Sequence, residues 1–550
     1  MAIPSREETH TLIIGGGPVG LTAALLLASY GIKSIVVERH HERLGQPKAH
    51  AINPRSLEIL RQASLDTAAL RKVGVSNEDG DMVRFAPNMT GLEFGHLPYE
   101  RQTNETRAIT PEPLFNIAQP LLEEFLLAAV SKSKFTKLWK GVQFEETIQS
   151  QKDGPQVSLL LDRSTGNTSQ IVSKYIFVCD GAKSRSRAKF GVPFSPLPGL
   201  PDFEIPHVSV HINADLRKFK SGTLWFFFGP NKQRTFICYD RAKSWVYVEN
   251  IDREKTPTST FTEEYCRRTV DDAIGEKVPY DILSITHWGT KPQAAEVYRS
   301  ATNPAAFLIG DAAHVFPPTG GLGVNTGVAD AHNLVWKIHA VEQNWAQDAL
   351  LDSYGIERRP VAVMNAQQSA LNMTKINALM SVTSNLDLKD VESVMVNPES
   401  SALIQQAIED NSEHFDSINL QIGYVYGAET PTDRPCNEFI PSSKPGGRLP
   451  HGWVVQDGQH RSTLDLINGD GFVVLASKDF PIDKADSVHP TAPVAVFREG
   501  VDFDVDDSSW LKIMDFTSAE PGVLIRPDQH IVSRVSSLSD AYSKLRDYLE

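Results

Sequence analysis

Short apolar runs alternate with glycine-rich turns at the start of the chain. Residues 9–14 are apolar and β-branched, which predicts a buried strand, and the Ala/Leu-rich segment 18–30 predicts a helix. Gly31 stands where that helix should end, and residues 32–37 predict a second strand that leads into Glu38. The pattern therefore predicts a strand–helix–strand unit of about thirty residues.

Two later apolar runs end in a similar way. Residues 174–179 lead into Asp180 and Gly181, and residues 306–309 lead into Gly310 and Asp311. Each pattern predicts a buried strand that delivers an aspartate and flexible backbone to one point.

A period of two dominates residues 200–300. Strand-like runs are separated by short turns, a pattern typical of an antiparallel sheet, and they lie at 207–212, 223–228, 234–238 and 244–248. Trp245 and Tyr247 share one face of their strand, as Trp225 and Phe227 do on theirs. Either these aromatic side chains line a cavity, or they pack the sheet against helices.

The texture of the chain changes near residue 423. Four prolines between 431 and 445, followed by glycines at 446 and 447, predict a linker. Beyond it, strands are predicted at 469–475, 492–497 and 522–528, and a closing helix is predicted at 536–549. Helices between 350 and 411 are expected to brace the N-terminal unit.

Composition narrows the classes of protein. The 550 residues suffice for three or four folding units of roughly 150 residues each. Acidic residues exceed basic ones by 68 to 54, which disfavours nucleic acid as a partner. The four cysteines form no C-x-x-C pair, so no zinc ribbon or other metal site is expected and a reducing compartment is favoured.

The N-terminal residues are charged, without the apolar core of a signal peptide. The apolar stretch 21–29 is shorter than the ~20 residues that a membrane helix needs. We therefore expect a cytoplasmic protein with no membrane span.

The first glycine turn has the chemistry of a dinucleotide site. Gly15, Gly17 and Gly20 match G-x-G-x-x-G, in which the glycines permit the turn, the approach of a pyrophosphate and the packing of helix on strand. The helix N-terminus then points free N–H groups at the diphosphate. Glu38 can accept hydrogen bonds from ribose hydroxyls, and it disfavours a 2′-phosphate. The alternative is a glycine-rich turn without a ligand, and the motif alone does not separate NAD from FAD.

Combined with the run from Gly310 to Lys337, these motifs make the sequence resemble the flavin-dependent aromatic hydroxylases, the class A flavoprotein monooxygenases, especially their phenol hydroxylase-like branch. The resemblance covers most of the chain and implies an α/β fold of three domains. A Rossmann-like FAD-binding domain would span 1–195 and 296–420 and include part of the substrate pocket. An antiparallel-sheet substrate domain would span 196–295, and a thioredoxin-like domain without the redox dithiol would span 421–550.

The same resemblance implies FAD as cofactor and NAD(P)H as a transient electron donor. Asp311 would bind ribityl or ribose hydroxyls, and the glycine loop before Asn325 would bring backbone N–H groups and a helix N-terminus against the flavin. Gln119 is interpreted either as a nucleotide contact or as an ordinary helix residue. The cofactor-binding residues expected in this way are Gly15, Gly17, Pro18, Gly20, Glu38, Arg39, Lys48, Gln119, Asp180, Gly310, Asp311, Pro318, Gly321, Gly323, Val324 and Asn325.

One departure from the family lies at Lys48, where an arginine is often found; lysine keeps the charge and loses the bidentate fork. Two positions further on, His50 stands where the phenol hydroxylase-like branch has an acidic residue facing the substrate hydroxyl. A histidine can accept a phenolic proton near neutral pH, although a structural role for His50 is the alternative. By the same resemblance, Tyr247 joins His50 as a catalytic candidate.

Trp225, Trp245 and Tyr247 are the expected substrate-binding residues. His314 is interpreted as a packed, structural histidine beside a turn.

We therefore expect a monooxygenase that uses FAD and NAD(P)H to insert one atom of O₂ into a phenolic or polyketide-like aromatic substrate through a flavin C4a-hydroperoxide. Baeyer–Villiger or decarboxylating oxygenation by the same intermediate is an alternative, as is a flavoprotein reductase without oxygen transfer. The expected partners are the small aromatic substrate, O₂ and a second copy of the chain in a homodimer.

Overall fold

The protein, described here by a computed structural model, has a mixed α/β architecture. The structure describes residues 3–42, 45, 47–150, 154–229, 232–251, 258–383, 391–483 and 492–550. Among these residues, no helix is both long enough and apolar enough to cross a membrane.

A parallel sheet of five strands forms the centre of the N-terminal unit. From edge to edge, its strands are Ala306–Leu308, Tyr175–Val178, Thr11–Ile14, Ser34–Glu38 and Thr136–Lys140. Buried apolar side chains fill the first four strands, as in sheets covered on both faces. The predicted strand–helix–strand unit is confirmed: the helix Pro18–Ser29, a nearly fully buried segment, lies between the strands Thr11–Ile14 and Ser34–Glu38.

Helices and a second sheet cover the parallel sheet. Pro18–Ser29 packs against both Gln119–Lys132 and Gly323–Glu342. The second sheet has four strands, Arg6–Glu8, Thr168–Ser173, Gln156–Asp162 and Val142–Gln149.

A seven-stranded sheet forms the second unit. Its strands, in order across the sheet, are Tyr280–Thr290, Ile205–Ala214, Ser244–Asn250, Lys232–Asp240, Leu224–Gly229, Met82–Ala86 and Gly95–Pro98. The predicted antiparallel pairing holds among the strands after residue 200, but Leu224–Gly229 pairs in parallel with Met82–Ala86. The sheet thus takes two strands from well before residue 196, because edge pairing depends on which segments meet in space and not on their distance in sequence.

The two faces of this sheet pack against different neighbours. On one face Trp225, Phe227 and Trp245 join the core formed with the helix Glu263–Ile274. On the other face, Phe226 packs with residues of the helices that follow residue 353. Those helices are Ser353–Thr383, Val391–Val396 and Pro398–Glu409, so they brace the seven-stranded sheet as well as the N-terminal unit.

The C-terminal residues form a separate small sheet and a closing helix. Its four strands are Val494–Arg498, Phe472–Ala476, Gly522–Ile525 and Ile531–Val535, and the helix is Leu538–Leu549. An ion-paired cluster ties this unit to the rest: Glu357 accepts from Arg526, 2.7 Å away, and from Lys337, 2.8 Å away. The C-terminal sheet is thereby anchored to the long helix Ser353–Thr383 and to Gly323–Glu342.

Shorter elements complete the chain. The helices are Pro54–Gln62, Thr67–Arg71, Asn77–Gly80, Arg185–Lys189, Ile418–Ile422 and Ser509–Met514. Single-turn 3₁₀ helices lie at Asn104–Ala108, Thr258–Thr260, Gly310–Ala312, Asp348–Asp352, Ser412–His414 and Thr463–Leu466. The small sheets comprise Ala51–Ile52 with Phe115–Asn116; Phe194–Pro196, Gln293–Ala295 and His314–Val315; and Gln459–Ser462, Trp453–Gln456 and Asp504–Val505.

Candidate active site

The glycine turn after the first parallel strand requires glycine at two positions. Gly15 has φ +111°, and a Cβ there would overlap the carbonyl oxygen of Cys179. A Cβ at Gly20 would overlap the carbonyl oxygen of Gly15, so the helix can approach the turn only with glycine. Gly17 caps the helix without a side-chain hydrogen bond and Pro18 opens it, which leaves backbone N–H groups of the first turn available to an anion.

Glu38 lies at the end of the next strand and faces this turn. Its Oε2 accepts from the Gly16 backbone N–H at 2.9 Å, and its Oε1 accepts from the His40 backbone N–H at 3.0 Å. Arg39 is exposed and donates from Nε to His40 Nε2 at 3.0 Å. The carboxylate is therefore held in place at the edge where the sequence predicts a ribose contact.

The second glycine–aspartate motif packs directly on the first helix. A Cβ at Gly310, where φ is +63°, would lie 3.2 Å from Val19 Cγ2, and a Cβ at Gly327 would lie 2.9 Å from Gly310 Cα. This close approach brings Asp311 beside the helix Gly323–Glu342. A Cβ built at Gly323 would be 4.0 Å from Asp311 Oδ1.

Asp311 lies beside the start of the helix Gly323–Glu342. Its side chain is exposed to water, but the surrounding protein atoms partly desolvate its carboxyl and raise its pKa. His314 and the exposed Lys48 oppose that shift by their positive potential. Lys48 therefore lies near enough to Asp311 for the two charges to interact.

The loop between Asp311 and the following helix turns on two glycines with left-handed backbone. Gly320 and Gly321 have φ of +97° and +62°, and the Gly321 N–H donates to the Pro318 carbonyl at 3.0 Å. Pro318 is exposed, and Gly323 and Val324 are half-buried at the start of the helix. The helix therefore begins close to Asn325, as predicted, and its first residue lies near Asp311.

The Asn325 side chain forms hydrogen bonds within the protein. Its Nδ2 donates to the carbonyls of Ala51 at 2.9 Å and Gly321 at 2.8 Å, and its Oδ1 accepts from the Asn53 N–H at 2.9 Å. The side chain is buried and is used to join the glycine loop to the segment that carries His50. Its backbone N–H remains part of the open helix N-terminus.

The Asp180 motif is a scaffold within the protein. Asp180 accepts hydrogen bonds from the Ser184 hydroxyl and from the Ser186 N–H, and Ser184 in turn caps the Arg187 N–H at 2.9 Å. The Arg187 guanidinium donates to the Ala312 carbonyl at 3.4 Å. The two aspartate motifs are therefore connected, which the sequence spacing alone could not reveal.

Asp330 is a site-supporting residue that the sequence analysis missed. It is fully buried, accepts from the Gly310 N–H at 3.2 Å, lies 2.7 Å from His314 Nε2 and accepts from Arg358 Nε at 2.7 Å. Burial alone would raise its pKa, but His314 and Arg358 hold the pKa below its ordinary value. The network fixes the turn that carries Asp311, and His314 is structural, as interpreted from the sequence.

Gln119 opens the helix Gln119–Lys132, close to the segment that carries Lys48 and His50. Its backbone N–H donates to the Ala49 carbonyl at 3.1 Å, and its side chain donates to Glu123 at 2.7 Å. The segment that carries Lys48 and His50 is thus attached to the start of this helix.

His50 lies where three elements meet. Its Nδ1 is 3.0 Å from Asn116 Oδ1, and its ring centroid is 5.6 Å from that of Tyr99 and 6.1 Å from that of Tyr239. Burial lowers the pKa of the imidazole, although the Asn116 hydrogen bond partly opposes this, so the ring is neutral at pH 7. No described residue forms a hydrogen bond with Nε2, which is therefore available to a ligand.

Two tyrosines that sequence reasoning missed, Tyr99 and Tyr239, lie beside His50. The three side chains together form a wall of rings. The Tyr239 hydroxyl is buried and has no hydrogen-bond partner among the described residues, while a Cβ at Gly321 would lie 3.9 Å from the Tyr99 hydroxyl. Burial raises the pKa of both phenols, so both are neutral. The alternation along residues 234–240 could have indicated that Tyr239 faces away from Cys238; nothing in the pattern marked Tyr99.

Trp225, Trp245 and Tyr247 do not lie beside His50; they pack the sheet against a helix, which is the second of the two alternatives left open by the sequence. They share faces within their strands as expected, but all three are at most 2% exposed in the core against the helix Glu263–Ile274. The Tyr247 hydroxyl donates to Glu249 at 2.6 Å in that core. The period of two was correct, but it cannot say which of the two faces meets the cofactor-binding unit.

Two known protein families match separate segments of this chain. Residues 8–369 match the family described as FAD binding domain, and residues 442–550 match the one described as aromatic-ring hydroxylase, C-terminal. The fold and the glycine-built site are thus those of a flavoprotein. The chain belongs to the FAD-dependent aromatic-ring hydroxylases.

Individual relatives span nearly all of the chain. Tetracenomycin A2 monooxygenase-dioxygenase of Streptomyces glaucescens is 28% identical, with 99% of this chain and 97% of the relative covered. Phenol 2-monooxygenase of Pseudomonas sp. (strain EST1001) is also 28% identical, with 98% and 92% covered. Among solved structures, the flavin-dependent monooxygenase PieE, in complex with FAD and substrate, has a TM-score of 0.87 at 24% identity, with 99% of each chain covered.

The residues at the glycine end fit FAD. The turn at Gly15 and Gly20 leaves no room for side chains, the helix that starts at Pro18 offers free N–H groups, and Glu38 is held at the neighbouring strand end. The exposed carboxyl of Asp311 can accept hydrogen bonds from hydroxyl groups. FAD is the cofactor that the family defines.

Proposed function

We propose that this enzyme hydroxylates a neutral phenolic or polyketide-like aromatic substrate at the wall formed by His50, Tyr99 and Tyr239. The observation that carries the proposal is a neutral imidazole, with its Nε2 free to accept, at the point where the glycine loop meets an aromatic wall. In the balanced reaction, ArH, O₂, NAD(P)H and H⁺ give ArOH, NAD(P)⁺ and H₂O.

The bound FAD would supply the reduction of O₂ and the transfer of one oxygen atom, and NAD(P)H would supply the electrons. The turn from Gly15 to Gly20 with Glu38 and Arg39 would hold the ADP portion. Asp311, Lys48, Gln119 and the loop from Pro318 to Val324 would hold the remainder, in part through backbone N–H groups.

His50 would act as the acid–base group. Its Nε2 accepts the phenolic proton, which increases the electron density of the ring carbon that attacks the oxygen. A neutral imidazole with a lowered pKa accepts this proton without first losing one of its own, and it returns the proton to the product. Tyr239, whose buried hydroxyl lacks a partner among the described residues, would donate to a second oxygen of the substrate.

The surroundings of His50 favour a neutral substrate. The nearby rings belong to Tyr99 and Tyr239, both neutral phenols, and the partner of its Nδ1 is an amide. A carboxylate in this wall would lose its hydration without an opposing cation, which is costly. We therefore favour uncharged aromatic rings that carry hydroxyl or carbonyl groups.

The predicted three-domain division also enters as a proposal. The five-stranded parallel sheet supports a Rossmann-like assignment of residues 1–195 and 296–420, and the mainly antiparallel sheet supports a substrate domain over 196–295 with two added strands. The four-stranded C-terminal sheet with its closing helix supports a thioredoxin-like assignment of 421–550. The homodimer stays a prediction, which light scattering of the purified protein can test.

The experiment that tests the function measures flavin reduction and oxygen transfer together. Anaerobic stopped-flow reduction by NADPH and by NADH is followed at the flavin absorbance, with and without a panel of phenols and polyketide-like aromatics. We expect one neutral phenolic class to accelerate reduction and, under ¹⁸O₂, to yield a product that carries one ¹⁸O atom. NAD(P)H oxidation that yields only peroxide with every compound would contradict the proposal, and a lactone product would favour the Baeyer–Villiger alternative.

A further inference from the structure

The hydrogen bonds behind His50 have a definite direction. Gln102 donates from Nε2 to two backbone carbonyls, those of Gly80 at 2.9 Å and Tyr99 at 2.8 Å. A carbonyl can only accept, so these two contacts identify the NH₂ group of Gln102 and leave its Oε1 on the other side. The orientation of this amide is therefore set by the main chain.

The orientation of the Gln102 amide in turn fixes the orientation of the Asn116 amide. Asn116 Nδ2 donates to the Gly80 carbonyl at 3.2 Å and lies 3.5 Å from Gln102 Oε1. Both neighbours are acceptors, so the NH₂ group of Asn116 faces them and its Oδ1 faces His50. Asn116 is 1% exposed, so water does not compete for these positions.

Gln102, Asn116 and His50 form a chain of hydrogen bonds, an amide relay, of which His50 is the last member. Because Asn116 Oδ1 can only accept, the Nδ1 that lies 3.0 Å from it must carry the hydrogen. In a neutral imidazole the other nitrogen then has the lone pair. We propose that Asn116 is a positioning residue that fixes the Nδ1–H tautomer of His50 and so makes Nε2 the acceptor for a substrate hydroxyl.

This proposal rests on the proposed function for the role of His50, but the tautomer is an independent property of the protein. The titratable groups whose rings face His50 are Tyr99 and Tyr239, and both remain neutral through the physiological range. Lys48 lies two residues away in sequence with an exposed side chain. The amide relay, and not a charged neighbour, therefore decides which nitrogen carries the hydrogen. Since Gln102 also holds the Tyr99 carbonyl, the same relay positions one aromatic ring of the wall.

The direct test is ¹⁵N NMR of the FAD-loaded full-length enzyme labelled with [¹⁵N]histidine. The His50 signals are assigned by their loss in His50→Gln. At pH 8 we expect a protonated Nδ1 and an unprotonated Nε2. A protonated Nε2 in the wild-type enzyme would overturn the proposal, and this reading needs no variant of Asn116.

Two substitutions then separate positioning from simple stability. Asn116→Leu removes the acceptor, so the tautomer preference should be lost and kcat should fall about tenfold with KM changing much less. Asn116→Asp keeps an acceptor and the tautomer, so it should retain activity above neutral pH. Its negative charge should raise the His50 pKa and move the acidic limb of the rate profile upward by about 1–3 pH units.

The matched control is Asn303→Leu. Asn303 is also a buried asparagine that donates to a glutamine, Gln156 at 3.0 Å, but that pair lies outside the His50 relay. This control should lose stability and keep the His50 nitrogen signals and the pH profile. An Asn116→Leu enzyme with the wild-type tautomer and kcat would overturn the proposal. The expected tautomer in an enzyme that hydroxylates no phenol would support this inference and contradict the proposed function.

Discussion

The proposed cofactor site and the proposed substrate site are built in different ways. At the proposed cofactor site, backbone groups would act: glycine is required at 15 and 20 because side chains would not fit there, and the helix that begins at Pro18 has no side-chain cap on its first-turn N–H groups. At the proposed substrate site, side chains would act: His50, Asn116 and Tyr239 come from three separate segments and meet only in the folded protein. A backbone site therefore leaves a local signature in sequence, whereas a side-chain site of this kind does not.

The largest effect is expected from a substitution that disrupts the glycine turn. In Gly20→Ala the new methyl group would overlap the Gly15 carbonyl oxygen, so the turn and the helix cannot both keep their places. We expect nearly complete loss of bound FAD, measured as the ratio of flavin to protein absorbance after purification. Gly45→Ala is the matched control, because a Cβ at Gly45 meets nothing within 4 Å. Full flavin content in Gly20→Ala would contradict the packing argument.

The next effect concerns the buried carboxylate of Asp330, which supports the turn that carries Asp311. Asp330→Asn should leave His314 and Arg358 without their carboxylate in a fully buried position, at a cost of about 3–5 kcal/mol in the free energy of unfolding. Denaturant titration measures this change. Asp348→Asn breaks an exposed pair with Arg299 and should cost less than about 1 kcal/mol. Equal losses in the two variants would remove the special role given to Asp330.

A smaller effect compares the two faces of the seven-stranded sheet. Tyr239→Phe should weaken substrate binding or slow hydroxylation by about threefold to tenfold, which corresponds to one lost hydrogen bond. Tyr247→Phe removes a hydroxyl of the same kind from the core face, where it bonds Glu249, and should leave steady-state hydroxylation unchanged. Steady-state kinetics with the accelerating phenol decides. The reverse result would return Tyr247 to the substrate wall.

The smallest effect is a change in the shape of the pH profile. Since burial lowers the His50 pKa below 6.5, the ring stays neutral at pH 7, and kcat/KM should fall only as the pH drops through that lowered value. The folded state then disfavours the added proton, so His50 contributes stability at neutral pH that is lost in acid. His50→Gln should bind FAD normally, react more slowly and lack this acidic limb. An unchanged limb in His50→Gln would assign it to another group.

The elements themselves could be predicted because their causes are local. The strand–helix–strand unit, the four strands after residue 200 and the closing helix follow from hydrophobic period and glycine position, and the observed elements lie within a few residues of the predicted ones. Sheet membership was less accessible. Met82–Ala86 joins the seven-stranded sheet through parallel pairing with Leu224–Gly229, a contact between segments about 140 residues apart.

The sequence by itself determined the proposed cofactor site: Gly15, Gly20 and Gly310 are needed by backbone geometry, and backbone geometry is specified within a few residues. Only the tertiary structure decided the proposed substrate site. Strand alternation groups Trp245 with Tyr247, but the packing of helix Glu263–Ile274 on one face decides that these rings form a core and that Tyr239 faces His50 instead. The direction of the amide relay behind His50 was equally hidden, because it depends on two carbonyls that sequence spacing does not place.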